Sequence, residues 1–84
     1  MSAILTEKWY VIMTRPATKG DPIAHFPIAG PFETMEEAAP WVSRAALEAG
    51  SVDGRMIHYG FGVARKEAET HPAGTLNQRL GLPT

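Results

Sequence analysis

The sequence predicts an α+β domain: a three-stranded, mainly antiparallel sheet in β-β-α-β order, one helix packed on one face, and a C-terminal tail with a short helical turn. Three observations carry this. Residues 8–15 (Lys-Trp-Tyr-Val-Ile-Met-Thr-Arg) are dominated by β-branched and aromatic side chains. The run Gly30-Pro31-Phe32-Glu33-Thr34-Met35-Glu36-Glu37 reads as a strand stopped by Gly-Pro and a helix opened by a capping box, with Thr34 three residues before Glu37. Residues 56–64 alternate between large apolar and small or polar side chains, as a strand does.

In the first strand Trp9, Val11 and Met13 point one way and Tyr10 and Ile12 the other, so both faces are apolar and both call for cover. Residues 16–22 form a loop whose turn signal is Gly20-Asp21-Pro22. A second strand spans about 23–29. Pro27 cannot donate to a ladder, which places that strand at an edge or at a bulge.

The helix is expected over 35–49. At 100° per residue, Met35, Ala38, Ala39, Val42, Ala45, Ala46 and Ala49 share one face. That face is mostly alanine, so the helix can approach a sheet closely. Trp41 lies at its flank, Pro40 implies a kink or a late start, and Gly50 is a candidate for the residue after the C-cap. In the third strand, Ile57, Tyr59, Phe61 and Val63 are expected under the helix. Met56, His58, Gly60 and Gly62 form a flat opposite face. Residues 1–66 are thus read as one domain, and 67–84 as a tail that is partly ordered or docks on the domain or a partner. Within the tail Thr75 is a candidate N-cap, Leu76 and Leu80 lie one turn apart, and Gly81 is a stop.

Composition narrows the functional classes. The chain has 84 residues and no cysteine, so disulfides and thiol chemistry are excluded. His25, His58 and His71 lack metal-ligand spacing, and neither metal nor cofactor is expected. Lysine and arginine total 8 against 9 acidic residues, a balance unlike that of strongly basic nucleic-acid binders. No apolar run approaches membrane length, and a cytoplasmic protein is expected. Domains this small bury little surface and are commonly supplemented by association. A symmetric homodimer formed through the sheet is therefore the expected cover for the second face, with fold-back of the C-terminal leucines as the competing solution.

Gly60-Phe61-Gly62-Val63 resembles the core strand of an RNA-recognition motif. That resemblance implies stacking of exposed aromatics on bases. The chain departs from the pattern in having Tyr59 before the first glycine and no aromatic at Val63. Ile28-Ala29-Gly30-Pro31-Phe32 followed by Glu37-Ala38 is similar to the strand-to-helix step of SPOR domains, which implies glycan binding, although only one βαβ half is present.

No Gly-rich phosphate loop, serine elbow or paired-carboxylate motif occurs, and catalysis is not expected. An enzymatic reading would need a polar pocket around His25 and His58. The leading expectation is a non-enzymatic interaction module of accessory or regulatory type, as small bacterial chains often are. Its partner-binding residues would be Trp9, Tyr10, His58, Leu80 and Leu82. The alternative is a weak nucleic-acid binder using Arg15, Lys19, Tyr59, Phe61, Arg65 and Lys66, with Arg15, Lys19, Arg65 and Lys66 meeting at one end of the sheet.

Overall fold

The computed structural model describes residues 5–84. Its architecture is α+β: strands β1 (Thr6–Arg15), β2 (Ala24–Phe32) and β3 (Gly60–Ala68) form an antiparallel sheet in the order β2-β1-β3. Helices α1 (Met35–Ala38) and α2 (Trp41–Val52) follow β2, a 3-10 turn spans Gly54–His58, and the short helix α3 (Asn77–Leu80) closes the chain. The doubly apolar β1 is the central strand.

The β1–β3 register is regular, from Thr6↔Ala68 to Thr14↔Gly60. The β1–β2 register is not: it shifts between Trp9↔Phe32 and Val11↔Ala29, and again before Ile12↔Pro27. These bulges place the adjacent residues Ile28 and Ala29 in one core, which strict alternation would forbid. They also correct the expectation that Gly30-Pro31 ends the strand. Gly30 takes φ +123, and β2 continues through it to Phe32.

Val11, Met13, Ile28, Ala29, Ala45, Ala49 and Leu80 make the buried core between sheet and helices. Phe32 stacks on Trp41 at 6.2 Å between ring centroids and closes one side. Thr34 caps α1 by accepting the Glu37 N–H at 3.1 Å, and Glu37 reaches back to the Glu33 N–H at 3.4 Å. Pro40 divides the helix in two and becomes the N-cap of α2, since it has no N–H to continue the ladder.

Three boundaries differ from the sequence reading. Helix α2 does not stop at Gly50 but runs to Val52, with Asp53 as C-cap. A Cβ on Gly50 would meet Ile57 Cγ2 at 2.5 Å, so this glycine serves close packing against the 3-10 turn. Residues 56–58 are not strand, because the Asp53 carboxylate accepts the Arg55 N–H at 3.0 Å and nucleates the turn. That turn takes His58 off the glycine face and leaves Ile57 62% exposed. Strand β3 accordingly starts at Gly60 and takes in Glu67 and Ala68, residues expected in the tail. Phe61 and Val63 do pair with Met13 and Val11 on the helix side.

The remaining tail folds back around the sheet. His71 Nε2 meets Thr6 Oγ1 at 2.8 Å, and the Tyr10 hydroxyl donates to the Pro72 carbonyl at 2.7 Å on the face away from α2. Gly74 N and Leu76 N then donate to the Gly30 and Ile28 carbonyls at 3.0 and 2.8 Å, which occupies the outer edge of β2. Helix α3 ends on the helix side, with Gly81 at φ +76 as its left-handed cap, Leu80 in the core and Arg79 Nη1 3.0 Å from Glu48 Oε1. Burying a leucine this completely stabilises the fold by roughly 1.5–3 kcal/mol. The tail is thus an integral part of the domain, and the fold-back solution is realised within the single chain.

Candidate functional site

Two of the concave sites lie on opposite sides of the sheet. The first is on the face without helices. There Ile12, Pro27 and Ala64 form a floor, and His25, Arg65 and Lys66 border a shallow groove of about 420 Å³. The β-period explains the floor: Ile12 pairs with Pro27 on one side and with Gly62 on the other, so small and flat residues flank one isoleucine. His25 is held over it by a 3.0 Å hydrogen bond between Nδ1 and Thr14 Oγ1, its cross-strand neighbour. Arg65 is drawn aside by Glu7 at 3.2 Å and Glu67 at 3.7 Å.

The second site lies on the helix side at the far end of β1. Met13, Arg15, Phe26, Asp53, Arg55, Met56, Tyr59 and Thr75 enclose a cleft of about 350 Å³, within the size range of small-molecule sites. Arg15 is fixed between the Phe26 ring, 5.9 Å from its Cζ, and the Pro22 carbonyl, which accepts from Nη2 at 3.4 Å. Its Nε is buried and has no hydrogen-bond partner in the protein. A buried donor left in this state costs about 1–3 kcal/mol. Arg55 reaches the cleft from the 3-10 turn and is clamped by Asp53 at 2.7–3.2 Å. The same clamp holds the Asp53 carboxyl below its usual range and the Arg55 guanidinium above it.

The expected partner residues divide by position. Tyr10 is 0% exposed and Leu80 5%, so both are internal to the chain rather than available to a partner. Burial raises the Tyr10 phenol above its ordinary value. Trp9 and Leu82 are half-buried, and Leu82 packs against the core. His58 is exposed on the 3-10 turn, and the side-chain partner of His25 is Thr14.

The six residues of the nucleic-acid alternative do not form one surface. Arg15 and Tyr59 line the cleft, Lys19 is exposed in the loop, and Phe61 packs against the core. Arg65 and Lys66 border the groove on the opposite face. Arg65 pairs with Trp9, six residues from Arg15 along β1, which is about 20 Å of strand. The expectation that these cations meet at one end of the sheet is thereby corrected.

Sequence reasoning missed Phe26, Asp53, Arg55 and Met56. The available signal was Asp53-Gly54-Arg55 directly after the helix, a pattern in which aspartate captures the backbone two residues on. Among the described residues no three His, Asp or Glu side chains gather as a metal site, and no helix is long and apolar enough to cross a membrane. No protein-family model, curated protein or solved structure matches the chain.

Proposed function

We propose that this chain is a non-enzymatic interaction module that associates with a second copy of itself through the outer edge of β3. The observation that carries the reading is an asymmetry between the two sheet edges. The tail occupies the outer edge of β2, whereas nothing among the described residues pairs with the outer edge of β3, nine residues long. An exposed strand edge is a ready template for pairing with another chain.

Charge selects the register. Antiparallel self-pairing centred on Ala64 would engage the whole strand, setting Phe61 opposite Glu67, Gly62 opposite Lys66 and Val63 opposite Arg65. No like charges then face each other. Centring on Arg65 or Lys66 would oppose two identical cations, which destabilises a pair. The two-fold axis would run perpendicular to the sheet, with both helix layers on one side and both Ile12 grooves on the other. The doubled face, apolar in its floor and bordered by Lys66, suits a protein segment that mixes apolar and acidic residues.

The absence of cysteine makes the test direct. Ala64→Cys should form an intermolecular disulfide under mild oxidation far more efficiently than Leu47→Cys, a site 76% exposed on α2. Light scattering of the unmodified chain should give twice the chain mass. A monomer at every concentration, or equal cross-linking at the two positions, would overturn the proposal. The nucleic-acid reading has weaker support, since its residues are divided between two sites; steep loss of RNA or DNA binding with salt would revive it.

A further inference from the structure

We infer that the cleft between Arg15 and the 3-10 turn binds a small carboxylic acid carried on an apolar body. The inference stands apart from self-association, since the cleft lies at the end of the helix side and shares no residue with the Ile12 groove. The lining is amphipathic in the way such ligands require. Phe26, Met56 and Tyr59 supply apolar walls, while Arg15, Arg55 and Thr75 supply donors.

Arg15 is the centre of the site. Its guanidinium is already positioned by the Phe26 ring and the Pro22 carbonyl, and among the described residues its Nη1 donors make no hydrogen bond. A planar carboxylate is the group that an arginine fork recognises best. Arg55 spends its Nε and one Nη2 bond on Asp53, and its Nη1 donors stay free. Two arginines against one aspartate leave a single net positive charge in the cleft. That balance matches a monoanion, whereas a phosphate monoester dianion would remain half-compensated.

The probe is phenylacetate, titrated into the full chain and followed by amide-resolved NMR. Its neutral analogue 2-phenylethanol and inorganic phosphate serve as comparators. Saturable shifts confined to residues around Met13, Phe26, Met56 and Tyr59 are expected with phenylacetate. Arg15→Gln should weaken binding by about tenfold or more, the loss expected for one charge-assisted hydrogen bond. Arg15→Lys keeps the charge and removes the fork, so a severalfold loss is expected there too. It also covers the case in which Arg15→Gln does not fold. Lys19→Gln, in the exposed loop, should change nothing.

No saturation of the cleft amides by about 50 mM phenylacetate would overturn the inference. So would equal binding of 2-phenylethanol, tighter binding of inorganic phosphate, or unchanged affinity in a folded Arg15 variant.

Discussion

Asn77 takes the place of a strand neighbour to Gly30. Its Oδ1 accepts the Gly30 N–H at 3.0 Å, while Nδ2 donates to the Gly30 carbonyl and, at 2.8 Å, to the Pro83 carbonyl. Asn77 is 1% exposed. The amide thus supplies the acceptor for the Gly30 N–H and shares the Gly30 carbonyl with the Gly74 N–H. It also ties that glycine to the end of the chain.

Asn77→Ala should therefore destabilise the protein by about 2–3 kcal/mol, because the buried Gly30 N–H loses its acceptor. Urea unfolding measures the change, and hydrogen exchange of the Gly30 amide localises it. A loss below about 0.5 kcal/mol would show that the amide is not structural.

Two glycines should behave in opposite ways. A Cβ on Gly74 would lie 2.5 Å from Ala29 N and 2.6 Å from both Ala29 Cα and Ile28 C, all backbone atoms that cannot step aside. Gly74→Ala should push the tail off β2 and cost about 2 kcal/mol or more. A Cβ on Gly62 would meet nothing within 4 Å, and its φ lies outside the left-handed region. Gly62→Ala should be neutral or stabilise by up to about 1 kcal/mol, through a less flexible unfolded chain. Thermal melts of the pair decide the matter, and equal effects would contradict the packing described.

Tyr10 should make the fold sensitive to alkali. Burial raises its phenol above the ordinary value of 10.0. The folded state therefore holds a proton that the unfolded chain releases. The associated stability is complete below pH 10 and is lost as pH rises through the folded value. Tyr10→Phe should be about 1 kcal/mol less stable at neutral pH, since the Pro72 carbonyl loses its donor, yet flatter than the native chain above pH 10. Parallel pH–stability curves for the two proteins would contradict this.

Much of the fold was legible because local and global demands agree. Residues 9–13 marked a strand apolar on both faces, Pro27 placed the second strand at an edge or a bulge, and Thr34 with Glu37 marked the helix start. The misreadings occur where tertiary packing overrides a local rule. Gly50 has the look of a helix stop but is retained inside α2 to admit Ile57. The alternation of Ile57, Tyr59, Phe61 and Val63 continues the strand period backwards, yet the Asp53 cap turns the chain before Gly60.

The cleft was the least legible feature. Arg15, Arg55 and Thr75 come from three distant segments, and no spacing in the sequence connects them. The groove was half legible: a flat glycine face was foreseen, but its floor of Ile12, Pro27 and Ala64 follows only from the register.

The return of Gly74, Leu76 and Leu80 to residues 28–30 and 45–49 bears on how the protein is made. A nascent chain leaves the ribosome with its first hairpin ready and its helices waiting. The central strand stays one-sided until residue 68 emerges, and the interior stays open until residue 80 clears the exit tunnel. Contacts this far apart in sequence form slowly. The molecule therefore passes through synthesis with greasy surface showing, and slowed translation should leave it open to chaperone capture and proteolysis for longer.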